Sequence, residues 1–256
     1  MTAAVTALAA AAGRSAGGLV AVASAVLAGQ LATGWSNDYL DAERDAATGR
    51  PDKPVARGEV SRPTVAVAAG TAAVACVPLS LLSGWRAGAI HLIAVGFALA
   101  YNRWLKSTPF SVLPYAVAFG AAPAFVTLGL PSTPLPPLWL VTAGAALGAG
   151  AHFANVLADL ADDEATGVRG LPHRLGRRRS EALAAGLTAL VAVVLTFGPE
   201  GRPEPPAWGT LAATATVLVG GAWWGRRPRS RTLFRAVLVA AILDVGLLLL
   251  SGSDLR

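Results

Sequence analysis

The chain has 256 residues, of which 54% are hydrophobic and 14% charged, with a mean hydropathy of +0.54. A soluble domain carries roughly 25% charged residues, so this composition is typical of a protein embedded in a lipid bilayer. The single cysteine, Cys76, excludes a disulfide scaffold and a zinc site built from cysteines. Continuous apolar blocks, without short alternating strands, argue against an outer-membrane barrel.

The apolar residues form eight blocks, each about long enough to cross a hydrocarbon core of roughly 30 Å. The sequence therefore predicts an all-α polytopic membrane bundle of about eight spans, in one domain over residues 1–256. The spans lie at about 15–35, 63–83, 87–103, 110–130, 137–158, 181–198, 207–224 and 232–250. The preceding segment, Met1 to Gly13, is rich in alanine and too short to cross. A cleaved signal peptide at 14–35 is the alternative for the first span, but the acidic cluster directly after it favours a retained helix.

The connections between spans alternate in charge. Summing alternate connections places 17 of the 21 Lys and Arg on one side, and the positive-inside rule assigns that side to the cytoplasm. The net charge of +6 is thereby attributed to loops, and no nucleic-acid partner is expected. We expect an integral protein of a bacterial cell membrane, with the lipid bilayer around it and both termini facing away from the cytoplasm.

Two acidic clusters lie on the predicted cytoplasmic side. Asp38, Asp41 and Asp45 follow the first span and share one face if that span continues as a helix. Asp159, Asp162 and Asp163 follow the fifth span. Three carboxylates on one helix face repel one another, so a cationic partner is expected.

Solvated loop acids are the alternative interpretation of either cluster alone, but two clusters at the ends of two spans favour a joint site. Clusters that offer only oxygen ligands suit Mg²⁺, which takes few carboxylates and bridges to substrate phosphate. The sequence therefore predicts that the two clusters hold Mg²⁺ and a diphosphate between them.

Basic segments follow both clusters. Arg50, Lys53 and Arg57 occupy a turn stiffened by proline and glycine, and Arg169 lies after the second cluster. Such cations can contact a phosphate; the alternative is that they are ordinary cytoplasmic loop charges. Lys106 lies on the same membrane face, either at the site or as an interfacial anchor beside Trp104.

These motifs resemble the UbiA superfamily of intramembrane prenyltransferases. The first signature, Asn-Asp-x-x-Asp-x-x-x-Asp with a following Arg-Pro-x-Lys-Pro turn, is filled by Asn37, Asp38, Asp41, Asp45, Arg50, Pro51, Lys53 and Pro54. The second is filled in its shorter form by Asp159, Asp163, Gly167, Leu171 and Pro172, with Thr166 where the longer form has an acid. Tyr101 to Lys106 is similar to the Tyr-x-x-x-x-Lys element between them.

The resemblance implies nine helical spans around a central, lipid-accessible cavity. It implies that Mg²⁺ on the Asp motifs binds an allylic polyprenyl diphosphate, whose prenyl group passes to an aromatic or lipid-like acceptor. The resemblance assigns catalytic roles to Asp38, Asp41, Asp159, Asp163 and Lys106. It assigns metal binding to the six aspartates of the two clusters. Diphosphate binding is assigned to Asn37, Arg50, Lys53, Arg57, Tyr101 and Arg169. Only one span precedes the first signature, where the family usually has two, so Met1 to Gly13 is a remnant helix or the first helix is lacking.

Three alternatives to prenyl transfer remain: a non-catalytic protein of the same fold that carries a polyprenyl lipid, a cation transporter, and a purely structural membrane protein. A transporter usually places ionisable groups near the bilayer midplane, whereas these acids lie at the rim. Asp244 is an exception, near the middle of the last span. It is expected to face the cavity, where it either takes part in a helix–helix hydrogen bond or orients the acceptor or steadies the allylic cation.

Overall fold

The computed structural model describes residues 1–47, 53–165, 167–224 and 232–250, and over these ranges the chain is helical without strands. The all-α class is therefore confirmed. A 3₁₀ turn at Leu105–Ser107 accompanies ten α-helices, whose bounds are α1 Thr2–Ala11, α2 Ala16–Ala47, α3 Arg62–Leu81, α4 Trp85–Arg103, α5 Leu113–Thr127, α6 Leu138–Ala165, α7 Leu171–Leu175, α8 Arg177–Phe197, α9 Pro205–Trp224 and α10 Thr232–Leu250.

Five of the described helices are long and apolar enough to cross a membrane. The segments concerned are Ala16–Ala47, Arg62–Leu81, Leu138–Leu157, Arg177–Phe197 and Thr232–Leu249. Helices α4, α5 and α9 coincide with the three other predicted spans. The membrane bundle is therefore confirmed, while the total of eight spans stays a prediction.

The helices form a ring in chain order. Successive helices from α2 to α6 pack side by side, α8 packs on α6, and α9 and α10 follow. Helix α1 contacts α2, α5 and α10 and so joins the two ends of the ring. Its residues Val5, Leu8 and Ala9 are buried in one cluster with Phe125 of α5 and Leu140 of α6. A helix thus precedes α2 in the bundle, as one of the two interpretations of Met1 to Gly13 predicts.

A close approach of two helices is built from glycines of α6 against the backbone of α5. A Cβ atom added to Gly148 would lie 2.3 Å from the backbone oxygen of Tyr115, and one added to Gly144 would lie 2.6 Å from that of Phe119. Helices in membranes often approach through glycines spaced four apart, because their packing depends on van der Waals contact. This contact fixes α5 and its residue Tyr115 against α6.

Two helices extend beyond the predicted spans. Helix α2 continues to Ala47 and α6 to Ala165, so both acidic clusters lie on helix rather than in loops. The extension of α2 is held against the start of α3, where Arg62 Nη1 lies 2.7 Å from Glu43 Oε1. The same guanidinium lies 4.8 Å from the centre of the Tyr39 ring and donates to the Tyr39 carbonyl. These contacts leave the opposite face of α2 free to point into the bundle.

Candidate active site

A cavity of about 670 Å³ opens where the carboxyl ends of α2 and α6 meet. Its charged and polar lining comes from α2, α4, α5, α6 and the segments after α2 and α4. These lining residues include Asn37, Asp38, Asp41, Arg44, Asp45, Lys53, Tyr101, Asn102, Lys106, Tyr115, Asn155 and Asp163. A central cavity bounded by both acidic clusters is what the two motifs predict.

The first cluster presents its three carboxylates to this cavity. Asp38, Asp41 and Asp45 all line it, as their spacing of three and four residues on a helix predicts. Asp41 and Asp45 are buried, with 4% and 5% of their surface exposed. Carboxylates buried to this extent need a cationic or hydrogen-bonding partner to remain ionised.

Cations from three parts of the chain pair with Asp38 and Asp41. Lys53 Nζ lies 2.6 Å from Asp38 Oδ1, and Arg44 Nη2 lies 2.7 Å from Asp41 Oδ2. Lys106 donates to the other oxygen of Asp41. Asp41 is therefore held between a cation on its own helix and one from the segment after α4. The repulsion expected among the carboxylates is offset in this way.

The second cluster is represented by Asp163, since the side chains of Asp159 and Asp162 lie outside the described part of the structure. Asp163 lines the cavity opposite α2, with one oxygen 4.0 Å from Arg44 Nη1. Its other oxygen lies 3.5 Å from His173 Nε2. Among the described residues, no three His, Cys, Asp or Glu side chains are close enough to form a metal site unaided.

The structure places the other predicted diphosphate ligands in different surroundings. Asn37 and Tyr101 line the cavity, and Arg50 lies outside the described residues. Arg57 and Arg169 are described but are not part of the cavity lining. Arg57 is 47% exposed and pairs at 2.7 Å with Glu59, two residues away, while Arg169 is exposed on the surface. The expected convergence of these two arginines on the cavity is therefore not observed.

A smaller apolar pocket adjoins the cavity. It measures about 60 Å³ and shares Gln30, Thr33, Ala98 and Ala118 with the larger space. Its remaining lining is mainly apolar and ends at Phe125, on which the ring of His91 stacks with centroids 4.6 Å apart. The charged cavity thus continues into an apolar recess between α2, α4 and α5.

The sequence pattern of the UbiA prenyltransferase family matches residues 1–243, nearly the whole chain. This chain belongs to the UbiA prenyltransferase family. The resemblance inferred from the Asp motifs is confirmed.

Curated relatives include two archaeal proteins named digeranylgeranylglyceryl phosphate synthase. This UbiA chain is 37% identical to that of Natronomonas pharaonis over 181 residues, which cover 68% of this chain and 63% of the relative. It is 30% identical to that of Methanopyrus kandleri over 218 residues, covering 79% and 76%. The chain thus spans less than two thirds of the first relative's length. The bacterial cell membrane expected above stays a prediction.

Solved structures of UbiA homologues share the fold. The apo structure from Aeropyrum pernix has a TM-score of 0.75 at 18% identity, covering 98% of this chain and 97% of that one. A homologue from Archaeoglobus fulgidus, solved with GPP and Mg²⁺, has a TM-score of 0.68 at 16% identity and covers 98% and 96%. At these identities the likeness concerns the helical architecture.

Three residues of the cavity in this UbiA chain were not predicted from the sequence. Arg44 follows Asp41 by one helical turn, and the need for a cation near three carboxylates was the signal that could have identified it. Asn102 donates to Thr33 O and Ser36 Oγ of α2, each at 2.7 Å. Tyr115 meets Tyr101 edge to face and lies 3.4 Å from Asn155 Nδ2. Asn102 and Tyr115 depend on contacts between distant helices, which no local pattern indicates.

Proposed function

We propose that this protein transfers a prenyl group from an allylic prenyl diphosphate to a hydroxyl of a prenylated glyceryl phosphate, releasing diphosphate. The observation that carries the proposal is the meeting of two carboxylate-bearing helix ends, with three cations, at a cavity that continues into an apolar recess. The donor class is supported by the family and by the homologue solved with GPP and Mg²⁺. The acceptor is supported by the names of the curated relatives. A lipid acceptor is thus favoured over an aromatic one.

The oxygen ligands that the cavity offers suit a hard divalent cation. The cavity lining offers carboxylate oxygens from Asp38, Asp41 and Asp45 on one side and Asp163 on the other, to which Asp159 and Asp162 add by sequence. Mg²⁺ takes one or two carboxylates and completes its shell with water and phosphate, so an incomplete protein site is adequate. When bound, Mg²⁺ would stabilise the negative charge that develops on the departing diphosphate.

The cations of the cavity would move between two sets of partners. Lys53, Lys106 and Arg44 neutralise carboxylates through long, flexible side chains. A diphosphate that enters with its metal supplies new negative charge, so the same side chains can turn to the phosphate oxygens. Charge-assisted hydrogen bonds of this kind are among the strongest that proteins form. They favour departure of the diphosphate, because its charge increases as the carbon–oxygen bond breaks.

The apolar recess, at about 60 Å³, would receive only the first part of the prenyl chain, and the rest of the chain would lie outside it. An allylic cation reacts readily with water, so the reacting carbon must be shielded while the bond to the acceptor forms. Residues such as Val26, Ala94 and Ala122 line the recess and offer no nucleophile. The charged cavity therefore suits the diphosphate, and the recess suits the apolar part of the chain that directly follows it.

The test uses purified full-length protein in lipid nanodiscs with geranylgeranyl diphosphate and Mg²⁺. Geranylgeranylglyceryl phosphate and 4-hydroxybenzoate are supplied as separate acceptors, and products are identified by mass spectrometry. We expect the doubly prenylated glyceryl phosphate with release of diphosphate. Prenylation of the aromatic acid alone would contradict the acceptor, and tight donor binding without any product would indicate a lipid carrier.

A matched pair of variants ties any product to the cavity. Lys106→Met removes one of the two cations that pair with Asp41, and we expect it to reduce turnover. Arg103→Met removes an exposed cation three residues earlier that is stacked on Trp104, 6.0 Å from the ring centre. The second variant should retain turnover. Equal activity in both would contradict a role for Lys106 at the diphosphate.

A further inference from the structure

His173 is a buried histidine next to the second acidic cluster. It lies on α7, the five-residue helix after the α6 extension, and its side chain is only 3% exposed. Its Nε2 atom lies 3.5 Å from Asp163 Oδ2. Neither ring nitrogen forms a hydrogen bond within the described residues. A polar ring enclosed in this way and facing a carboxylate of the cavity requires an explanation.

The first two residues of helix α7 are held by hydrogen bonds from their backbone to two serine side chains. The Leu171 amide donates to Ser111 Oγ at 2.9 Å, and Ser180 Oγ donates to the Pro172 carbonyl at 3.0 Å. Ser111 is itself fully buried and lies 3.0 Å from His152 Nε2. A polar hydroxyl buried at this depth is costly unless it is hydrogen-bonded, so these contacts favour one position of α7.

The segment before α7 packs on the turn that carries Lys106. A Cβ atom added to Gly170 would lie 2.6 Å from the Lys106 carbonyl oxygen and 2.9 Å from Ser111 Oγ. Glycine permits this approach because it has no side chain. The segment that leads into α7 and His173 therefore packs directly against the turn that brings Lys106 to Asp41.

The neighbours of Asp163 differ in mobility. Arg44, 4.0 Å from Asp163, has a long side chain that also pairs with Asp41 and can turn toward an incoming phosphate. His173 has a short side chain and directly follows Leu171 and Pro172, the two residues of α7 that Ser111 and Ser180 hold. It can remain against Asp163 when the mobile cations change partners. Carboxylates that bind metals commonly depend on neighbouring polar groups for their orientation. His173 Nε2 is such a neighbour of Asp163, at ion-pair distance.

We propose that His173 is a positioning residue that holds the Asp163 carboxylate in the orientation needed for a metal-bound diphosphate. The proposal rests on the proposed function, because it assigns His173 a part in donor binding. It goes beyond the Asp motifs, since the second motif leaves the position after Leu171-Pro172 unspecified. The role is indirect: His173 is not part of the cavity lining, and it acts through Asp163.

The test measures binding of geranylgeranyl diphosphate without acceptor, as a function of Mg²⁺ concentration, in the full-length protein. His173→Leu fills the space but removes the ring nitrogen, and we expect roughly a tenfold higher Mg²⁺ concentration for half-maximal binding. His173→Gln places an amide nitrogen near the position of Nε2 and should restore most of the affinity. His173→Asn is polar but too short, and should behave like the leucine variant.

Controls separate this role from stability and from the proposed function. Arg174→Leu, on the same helix but exposed, should leave the Mg²⁺ dependence unchanged, and thermal unfolding shows which variants are folded. Should His173→Leu not fold, the glutamine and asparagine variants still provide the comparison. Folded variants with the Mg²⁺ dependence of the unaltered protein, or glutamine no better than asparagine, would overturn the proposal. Absence of Mg²⁺-dependent binding in the unaltered protein would instead overturn the proposed function, and this role with it.

Discussion

Asp41 is a buried carboxylate of the cavity with two cationic partners. It is 4% exposed, lies 2.7 Å from Arg44 Nη2 and accepts a hydrogen bond from Lys106. Removing one partner of a buried ion pair leaves the other charge uncompensated, which is costly. The arrangement explains how three acidic side chains can share a helix face near the membrane.

Asp244 occupies a different environment from the one expected. It is fully buried in α10, where Thr214 of α9 donates to its Oδ1 at 3.0 Å. Asp244 is not one of the described residues that line the cavity. The expectation that it faces the cavity is wrong, because α10 turns this position toward α9. The interpretation as a helix–helix hydrogen bond is confirmed.

Substitution of Asp244 should affect stability and leave chemistry intact. Asp244→Asn keeps an oxygen acceptor for Thr214, so turnover and the melting temperature should stay near those of the unaltered protein. Asp244→Leu removes the acceptor and should cost about 0.6–1.7 kcal/mol of stability, the range for hydrogen bonds between membrane helices. Thermal unfolding and product formation measure the two effects. A folded Asp244→Asn protein without turnover would indicate a catalytic role.

At the level of helices, the contact between α5 and α6 positions one wall of the cavity. Gly148 lies against the backbone of Tyr115, and Tyr115 lines the cavity beside Tyr101. A side chain at position 148 would separate the two helices. The site is therefore sensitive to a residue that does not line it.

Gly148→Ala should destabilise the bundle by about 1–3 kcal/mol, since overpacking of a close contact has that typical cost. Gly186→Ala in α8 is the matched control, because no atom lies within 4 Å of its added Cβ. Alanine is the better helix former, so the control should be neutral or stabilising by up to about 1 kcal/mol. Thermal unfolding in detergent compares them. Equal melting temperatures would show that the α5–α6 contact can accommodate a methyl group at position 148.

Some features of these elements can be predicted from the sequence and others cannot. The spacing of Asp38, Asp41 and Asp45 predicts their common face, since a helix repeats every 3.6 residues. Local sequence does not predict α7 or the burial of His173, because these depend on Ser111, about sixty residues earlier in the chain. The stiff turn that carries Arg57 predicts a contact with phosphate, whereas in the structure Arg57 pairs with Glu59.

For the whole molecule, the arrangement of the helices agrees with the charge pattern. Asp41 of α2, Lys106 after α4 and Asp163 of α6 meet at one cavity, so these three helices end on the same side of the bundle. Arg14 joins elements at the opposite side, where it donates to Ser83 Oγ and the Val126 carbonyl. The assignment of the cavity side to the cytoplasm follows from the positive-inside rule and stays a prediction.

Cysteine labelling in intact cells tests this orientation. In a Cys76→Ala background, Ser107→Cys lies beside Lys106, and Ser132→Cys lies in the exposed connection between α5 and α6. A membrane-impermeant thiol reagent should label position 132 and leave position 107 unmodified until the cells are opened. Labelling at position 107 from outside would reverse the assigned orientation of the cavity.

In the proposed function, the carboxylates of the cavity support prenyl transfer with a divalent cation. The most direct measurement compares turnover of Asp41→Asn with that of Glu43→Gln, each in nanodiscs with Mg²⁺ and then with EDTA. Glu43 lies on the same helix but its side chain is 85% exposed and pairs with Arg62 outside the cavity. We expect Asp41→Asn to reduce turnover by roughly 100-fold or more, the typical cost of removing an electrostatic contact to a transition state. Glu43→Gln should retain activity that EDTA abolishes; full turnover of Asp41→Asn, or turnover undiminished by EDTA, would contradict the claim.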